Sequence, residues 1–302
     1  MYANAYQTLF QTIEKIQGAY APSTIRAYRS DFTEYIGFCE GKGFEVFPPD
    51  PMILAEFIEY VSEKGRASAT IRRAIAGIST IFRLNRMPDP SKDPEVVIAM
   101  KRMHRKLGRA SSQAQAITAD VLEKLLATIG NTARGIRDRA LLLIAYDTLC
   151  RRSELVSLQI QDVKNIEKDG NEHTTILLRR SKTDQESTGR WLHLSDRSQS
   201  ALKQWLEIIK DCEGPLFRGI TNNHKITGQL GAGQVNRIYK KTARNAQLDG
   251  ILIERISGHS CRIGAAQDLV SSGTSLPIIM SKGRWSKTDT VMRYVEHISH
   301  PV

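Results

Sequence analysis

The stretch RGIRDRALLLIAYDTLCRRSELVSLQ, residues 134–159, decides how the second half of the chain is read. Every side chain from Ala140 to Ala145 is apolar, and the run passes into Tyr146–Leu149 without proline or glycine. That is long for a strand, so it reads as a buried helix followed by a second helical turn. Arg151 and Glu154 stand three residues apart at its end. An arginine closing a buried helix needs a partner, because an unpaired charge out of water is expensive. Glu154 could supply it from the same helix face. As a mere surface pair the two would be worth only about 0.2–0.5 kcal/mol.

Helices continue outward from this stretch. ITADVLEKLLATI (117–129) precedes it, with Thr118 as cap. After it, HTTILLRR (173–180) and RWLHLS (190–195) read as short strands flanking SKTDQESTG (181–189), a hairpin. RSQSALKQWLEIIK, GQVNRIYKKTARNAQ, GHSCRIGAAQDLVSSG, SLPIIMSKG and TVMRYVEH then return to helix. The first hundred residues read as a series of helices, with PDPSKDP (88–94) a proline-punctuated loop. PSTIRAYRSDFTEYIGFCEGKG (22–43) has Ser23 as cap and a stripe of Ile25, Tyr28, Phe32, Tyr35 and Ile36. SATIRRAIAGISTIFRLNRM (68–87) keeps Ile71, Ile75, Ile78 and Phe82 on one face and Arg72 and Arg73 off it. PEVVIAMKRMHRKLGR (94–109) bunches Lys101, Arg102, Arg105 and Lys106 at its end. GRASSQAQA (108–116) is small, polar and non-periodic, a linker. The chain is thus expected to be mainly α: an all-α N-terminal domain over 1–107, a linker over 108–116, and a mostly-α C-terminal domain with one small antiparallel sheet over 117–302.

Composition narrows the function classes. The 302 residues carry a net charge of +11, which points to a polyanion, nucleic acid before anionic membrane. No apolar run approaches the ~18–20 residues of a membrane span, and the start of the chain does not read as a secretory signal, so a cytoplasmic protein is expected. Cys39, Cys150, Cys212 and Cys261 show no C-x-x-C spacing, against a zinc site or a disulfide framework. His297 and His300 lie three apart without a third ligand, so no metal is expected.

Three further polar clusters join LCRRSEL. Lys182 begins the hairpin turn, where a lysine ordinarily serves only the solvent. In GHSCRIGAAQD, His259 and Arg262 sit three apart near a helix N-terminus, a ready anion site, and Gly264 and two alanines permit a close approach. In GRWSKTDTVMRY, Trp285 precedes Tyr294 by nine residues. Tyr294 itself has two readings. With Val291, Val295 and Ile298 it fits a helical stripe packed on a core, and its phenol oxygen could equally be a nucleophile.

These four clusters, in this order, resemble the tyrosine recombinase family, also called the phage-integrase family. LIAYDTLCRRSEL is similar to its first box, RRSKT to its β-hairpin lysine motif, GHSCRIGAAQD to its H-x-x-R box and GRWSKTDTVMRY to its final box, with tryptophan where most relatives carry histidine. TIRAYRSDFTEYIGFCEGKG, ATIRRAIAGISTIFR and VIAMKRMHRK resemble its core-binding domain, which is SAM-like. The resemblance implies a C-shaped clamp on DNA and a catalytic set of Arg151, Glu154, Lys182, His259, Arg262, Trp285 and Tyr294. In it, Tyr294 attacks a phosphodiester to form a 3′-phosphotyrosine and free a 5′ hydroxyl, with neither ATP nor metal. Arg151 and Arg262 clamp the non-bridging oxygens. His259 takes the phenol proton, Trp285 donates a hydrogen bond, Lys182 protonates the leaving oxygen, and Glu154 orients Arg151 or His259. Arg72, Arg73, Lys101, Arg102, Arg105 and Lys106 are expected to touch DNA. The implied partners are double-stranded DNA with inverted-repeat recombination sites and further copies of the chain, as a tetramer that joins strands through a Holliday junction. Relatives continue past the tyrosine with a helix that docks on a neighbouring subunit, whereas VEHISHPV follows here, so either the sequence stops short of that helix or subunit exchange uses a shorter segment; short inverted-repeat sites without arm sites are expected. A type IB topoisomerase, which cuts one strand and lets it swivel, and a DNA binder without catalysis remain alternatives.

Overall fold

The computed structural model describes residues 2–109, 113–168, 170–181 and 189–295. It divides into two compact units, 1–112 and 113–302.

The first unit is five helices: α1 (Tyr2–Lys15), α2 (Pro22–Lys42), α3 (Pro51–Glu63), α4 (Ser68–Leu84) and α5 (Pro94–Leu107). Proline opens α2, α3 and α5, where its missing N–H is no loss. The Asp50 and Asp93 carboxylates accept the Met52 and Glu95 N–H groups at 2.7 and 2.9 Å, capping α3 and α5. Ser23 is not the cap of α2; Ala21 holds that position and Pro22 starts the helix. Gly43, at φ 73°, closes α2 in the left-handed conformation that glycine adopts without strain. Aromatic rings fill the core, Tyr35 lying 5.3 Å from Phe57 and Phe32 5.5 Å from Phe82, edge to face.

The second unit begins with α6 (Ala119–Ala127), α7 (Ala133–Thr148) and α8 (Arg152–Ser157). Strands β1 (Val163–Lys168), β2 (Asn171–Leu178) and β3 (Arg190–His193) form an antiparallel sheet in that order. Ile176 pairs with Val163 on one side and Leu192 on the other. Then come α9 (Asp196–Ile209), the two-stranded sheet of β4 (Arg218–Ile220) and β5 (Ile226–Gln229), α10 (Ala232–Asn245), α11 (Gly250–Arg255), α12 (Ser260–Ser271), α13 (Leu276–Gly283) and α14 (Thr288–Val295). The apolar run of α7 is the centre of the core, packed with Leu125, Trp205, Phe217 and Tyr239. The Trp205 indole donates to the Leu216 carbonyl at 2.8 Å, so even its polar edge is satisfied.

Two details set the stage for the site. α7 stops at Leu149, which is left-handed at φ 49° and fully buried. A branched residue there costs about 1–2 kcal/mol, and the payoff is a carbonyl turned toward two arginines, described below. The small residues of α12 admit the chain's own backbone: a Cβ on Gly264 would stand 1.8 Å from the Ile117 carbonyl oxygen. Residues 113–117 are therefore bound into this unit. Gln115 N–H donates to Arg255 O at 2.9 Å and Ile117 N–H to Ser260 O at 3.0 Å, so the end of the stretch read as linker is anchored. Thr118 holds the N-cap position of α6, but its hydroxyl turns to Asp120; the Ala119 N–H is taken by Asp268 at 2.8 Å.

Among the described residues no helix is long and apolar enough to cross a membrane. All four cysteines are free thiols. His297 and His300 lie outside the described residues.

Gly264→Ala forces backbone against backbone. We expect it to destabilise the protein by about 1–3 kcal/mol or more, read as a lower melting temperature in thermal unfolding. An unchanged melting temperature would show that α12 can move away from Ile117.

Candidate active site

The site grows from the end of α7. Arg151 is not on a helix face with Glu154; it occupies the N-cap position of α8, and Glu154 is the third residue of that helix. The Glu154 carboxylate reaches back to the Arg151 N–H at 3.0 Å, half of a capping box, and also takes the Arg151 guanidinium at 2.5 Å. The Glu154 side chain is 4% exposed. A second cation meets it there: Arg284 donates to its other oxygen at 3.1 Å. Burial alone would raise the carboxyl pKa, but the Arg151 N–H and the Arg284 and Arg151 guanidiniums outweigh it and hold the group below its ordinary value. Glu154 is thus a buried, doubly paired carboxylate, far from the weak surface pair that the same spacing also allows.

Arg262, on the first turn of α12, is almost wholly buried. It donates to the Leu149 carbonyl and, at 2.5 Å, to that of Gly283. Its guanidinium lies 4.3 Å from the centre of the Trp285 ring, a cation–π contact. Trp285 in turn is 5.6 Å, centre to centre, from the Tyr294 ring on α14. Gly283 must be glycine, since a Cβ there would meet the Trp285 ring at 2.0 Å. Tyr294 packs against the small core of Leu149, Ala265, Ala266, Ile279, Trp285 and Val291. The packing reading is met, and the phenol also lies within electrostatic range of Arg262. The Gln267 amide fixes this helix further, donating to the Tyr294 carbonyl at 2.8 Å.

His259 is the N-cap residue of α12 and keeps an exposed edge. Crowding by protein atoms, then the positive charges of Arg262, Arg151 and Arg152, push its pKa below the ordinary value, with Glu154 opposing. The imidazole is neutral at neutral pH and able to accept a proton. Arg262 is itself pulled down to about 10, by burial first and by Arg151 and Arg284 next, and stays charged at neutral pH. This is an array of mutually repelling cations, held by one carboxylate and a few carbonyls, which is how an anion site is built.

The structure thus brings together Arg151, Glu154, His259, Arg262, Trp285 and Tyr294 of the expected set. Lys182 lies outside the described residues.

Residues 115–300 match the phage integrase family, and residues 9–85 match its N-terminal SAM-like domain. The chain belongs to the phage integrase family. It is 27% identical over 296 residues to Recombinase cre of Escherichia phage P1, covering 93% of this chain and 85% of that one. It is 28% identical over 293 residues to the Integrase/recombinase xerD homolog of Selenomonas ruminantium, covering 93% and 84%. Its fold is similar to that of XerH site-specific recombinase in a post-cleavage complex with palindromic difH substrate, with a TM-score of 0.66 and 20% identity over 90% of this chain and 76% of that one. It is also similar to a lambda integrase (75-356) dimer bound to a COC′ core site, with a TM-score of 0.64 and 14% identity over 98% and 97%.

In the SAM-like unit of this phage-integrase chain, the basic end of α5 lines an open groove with Ile98, Lys101, Arg102, His104, Arg105 and Arg109. Lys101, Arg105 and Lys106 are exposed; Arg102 faces Glu59 at 3.6 Å but is 70% exposed. Arg72, also exposed, shares this face, since its charge acts on His104 together with that of Arg109. Arg73 is engaged elsewhere, at 2.5 Å from the buried Asp31.

Sequence reasoning missed Arg284, Gln267 and the Tyr146–Asp268 pair, in which the Asp268 carboxylate accepts from the Tyr146 phenol and also from the Ala119 N–H at the start of α6. Gln267 and Asp268 stood within the quoted box, but only the fold shows what they face. An arginine beside Gly283 reads as a solvated loop residue, and nothing local signals its burial.

The His259 imidazole is expected to titrate below about 6.5 in the free protein, followed by its ring-proton shifts in NMR. Arg151→Ala removes a neighbouring cation, so the pKa should rise. A pKa that stays put or falls in that variant would mean that His259 does not sense the arginine pair.

Proposed function

We propose that this chain is a site-specific DNA recombinase that cleaves and rejoins strands through Tyr294. The observation that carries the reading is a continuous chain of contacts: the Tyr294 ring tilted against Trp285, and Trp285 beneath the Arg262 guanidinium. It brings the phenol proposed as nucleophile close to a buried cation able to bind an anion.

A DNA phosphodiester settles between Arg151 and Arg262, whose planar forks donate to its non-bridging oxygens. Glu154 holds Arg151 in place from behind. Tyr294 Oη attacks phosphorus in line, and its proton passes to neutral His259. Trp285 N–H steadies an oxygen as charge builds, since an indole can only donate. The new Oη–P bond replaces the bond to the 5′ oxygen, which leaves with a proton supplied by Lys182. The phosphotyrosine keeps the energy of the broken bond, so a 5′ hydroxyl from a second duplex can reverse the step without ATP. Two such exchanges, made by four copies on two sites of inverted-repeat form, pass through a Holliday junction. No cofactor has a role in these steps.

The groove at the end of α5, with Arg72, supplies phosphate contacts to one face of the duplex through Lys101, Arg102, Arg105 and Lys106, with Arg73 sharing its charge between Asp31 and the DNA. We place the reaction in the cytoplasm, where the substrate is. A type IB topoisomerase would relax supercoils without preference for sequence; the pairing of this catalytic set with a SAM-like unit favours the recombinase.

The test is covalent trapping on nicked suicide duplexes taken from the native locus, without metal or ATP. Wild type should give a slow protein–DNA band on a denaturing gel, confined to particular fragments. Tyr294→Phe should give none while still binding. Arg262→Ala should slow adduct formation by roughly 10²–10³-fold. Site-indifferent relaxation of supercoils would favour the topoisomerase, and tight salt-sensitive binding with no adduct would favour the plain DNA binder.

A further inference from the structure

Arg284 holds a position that a loop arginine does not need. Its side chain is 4% exposed, and its backbone is left-handed at φ 56°, a conformation strained for any side chain. It donates to Thr148 O at 3.0 Å, Lys282 O at 3.2 Å, Leu149 O at 3.2 Å and Glu154 Oε2 at 3.1 Å. The Cys150 sulfur is 3.7 Å away. Its Nε is buried with no acceptor among the described residues.

Each feature weighs against stability. A buried ion pair is often no better than apolar residues of the same volume, an orphaned N–H loses its hydration without replacement, and the backbone adds strain. What these terms support is a connection. Glu154 is shared between Arg284 and Arg151, and the Leu149 carbonyl between Arg284 and Arg262. Arg284 is the one side chain among the described residues that touches the partners of both guanidiniums. Three guanidiniums against one carboxylate also leave the cluster with two net positive charges. Attack of a phenoxide on a phosphodiester monoanion builds two negative charges.

We infer that Arg284 is a positioning residue for strand cleavage: by taking Glu154 Oε2 and the Leu149 carbonyl, it sets where Arg151 and Arg262 meet the phosphate. It acts through Glu154 and the Leu149 carbonyl, not by contact with the DNA or with Tyr294. This rests on the recombinase reading.

The experiment measures site binding and single-turnover cleavage of a suicide duplex, well below each variant's melting temperature. Arg284→Gly suits it because glycine takes φ 56° without strain. Its DNA affinity should stay within about twofold, while cleavage falls roughly 10- to 100-fold, the scale of a misplacement near 1 Å. In a Glu154→Gln background, where the carboxylate shared with Arg151 is gone and the shared Leu149 carbonyl remains, Arg284→Gly should cost clearly less than it does in wild type. Arg284→Lys keeps the charge but cannot span the acceptors, so it should also lose about tenfold; it serves as the test if the glycine variant does not fold. Cleavage at the wild-type rate in whichever variant folds, or an undiminished loss in the Glu154→Gln background, overturns the inference. Failure of the recombinase reading looks different: wild type itself makes no adduct, or Tyr294→Phe still makes one.

Discussion

One buried carboxylate organises this molecule's chemistry. Glu154, withdrawn from water, is stable as an anion only because two guanidiniums and a backbone N–H surround it. Each partner is thereby fixed. The Arg151 N–H bond starts α8, the Arg151 fork is aimed, and the loop after α13 is drawn in through Arg284. Breaking such a pair by removing one member strands the others in a dry site, so the arrangement tolerates little error.

The elements that converge there are far apart in sequence, and each is placed by ordinary packing. α7 is buried by its apolar run and halts at a left-handed Leu149, which releases a carbonyl into the site. α12 approaches closely because Gly264 leaves room for the chain entering α6. α13 ends in Gly283, whose missing side chain lets the Trp285 ring fold back beneath Arg262. The core fixes the backbone, the backbone fixes two carbonyls, and the carbonyls fix the arginines. Tyr294 joins last, on a short helix held by Val291 and by the Gln267 amide.

Much of this was legible beforehand, for physical reasons. Long amphipathic helices show their period, so α2, α4 and α9 could be read from spacing alone, and the α7 run announced its burial. The strand β1, with the sequence VKNIEK, could not: its Ile166 faces solvent, 39% exposed, and leaves no alternating pattern. β4 and β5, three and four residues long with a glycine each, carry still less signal. Of the site, the polar residues set in apolar surroundings stood out, and Arg151, Glu154, His259, Arg262, Trp285 and Tyr294 lie together, while Lys182 is outside the described residues. Arg284 did not stand out, because its burial comes from side chains more than a hundred positions away. Arg73 shows the converse: a helix arginine beside Arg72 looks like one more surface charge, yet a buried aspartate holds it.

The central claim is that the Tyr294 phenol is the atom that joins DNA. It is tested most directly by isolating the covalent adduct from a suicide duplex, digesting it with trypsin and sequencing the nucleotide-bearing peptide by mass spectrometry. Cleavage after Arg293 should release a peptide that begins with Tyr294 and carries a phosphodiester to a DNA 3′ end on that first residue. Nucleotide on any other residue, or on the 5′ side of the break, would contradict the account.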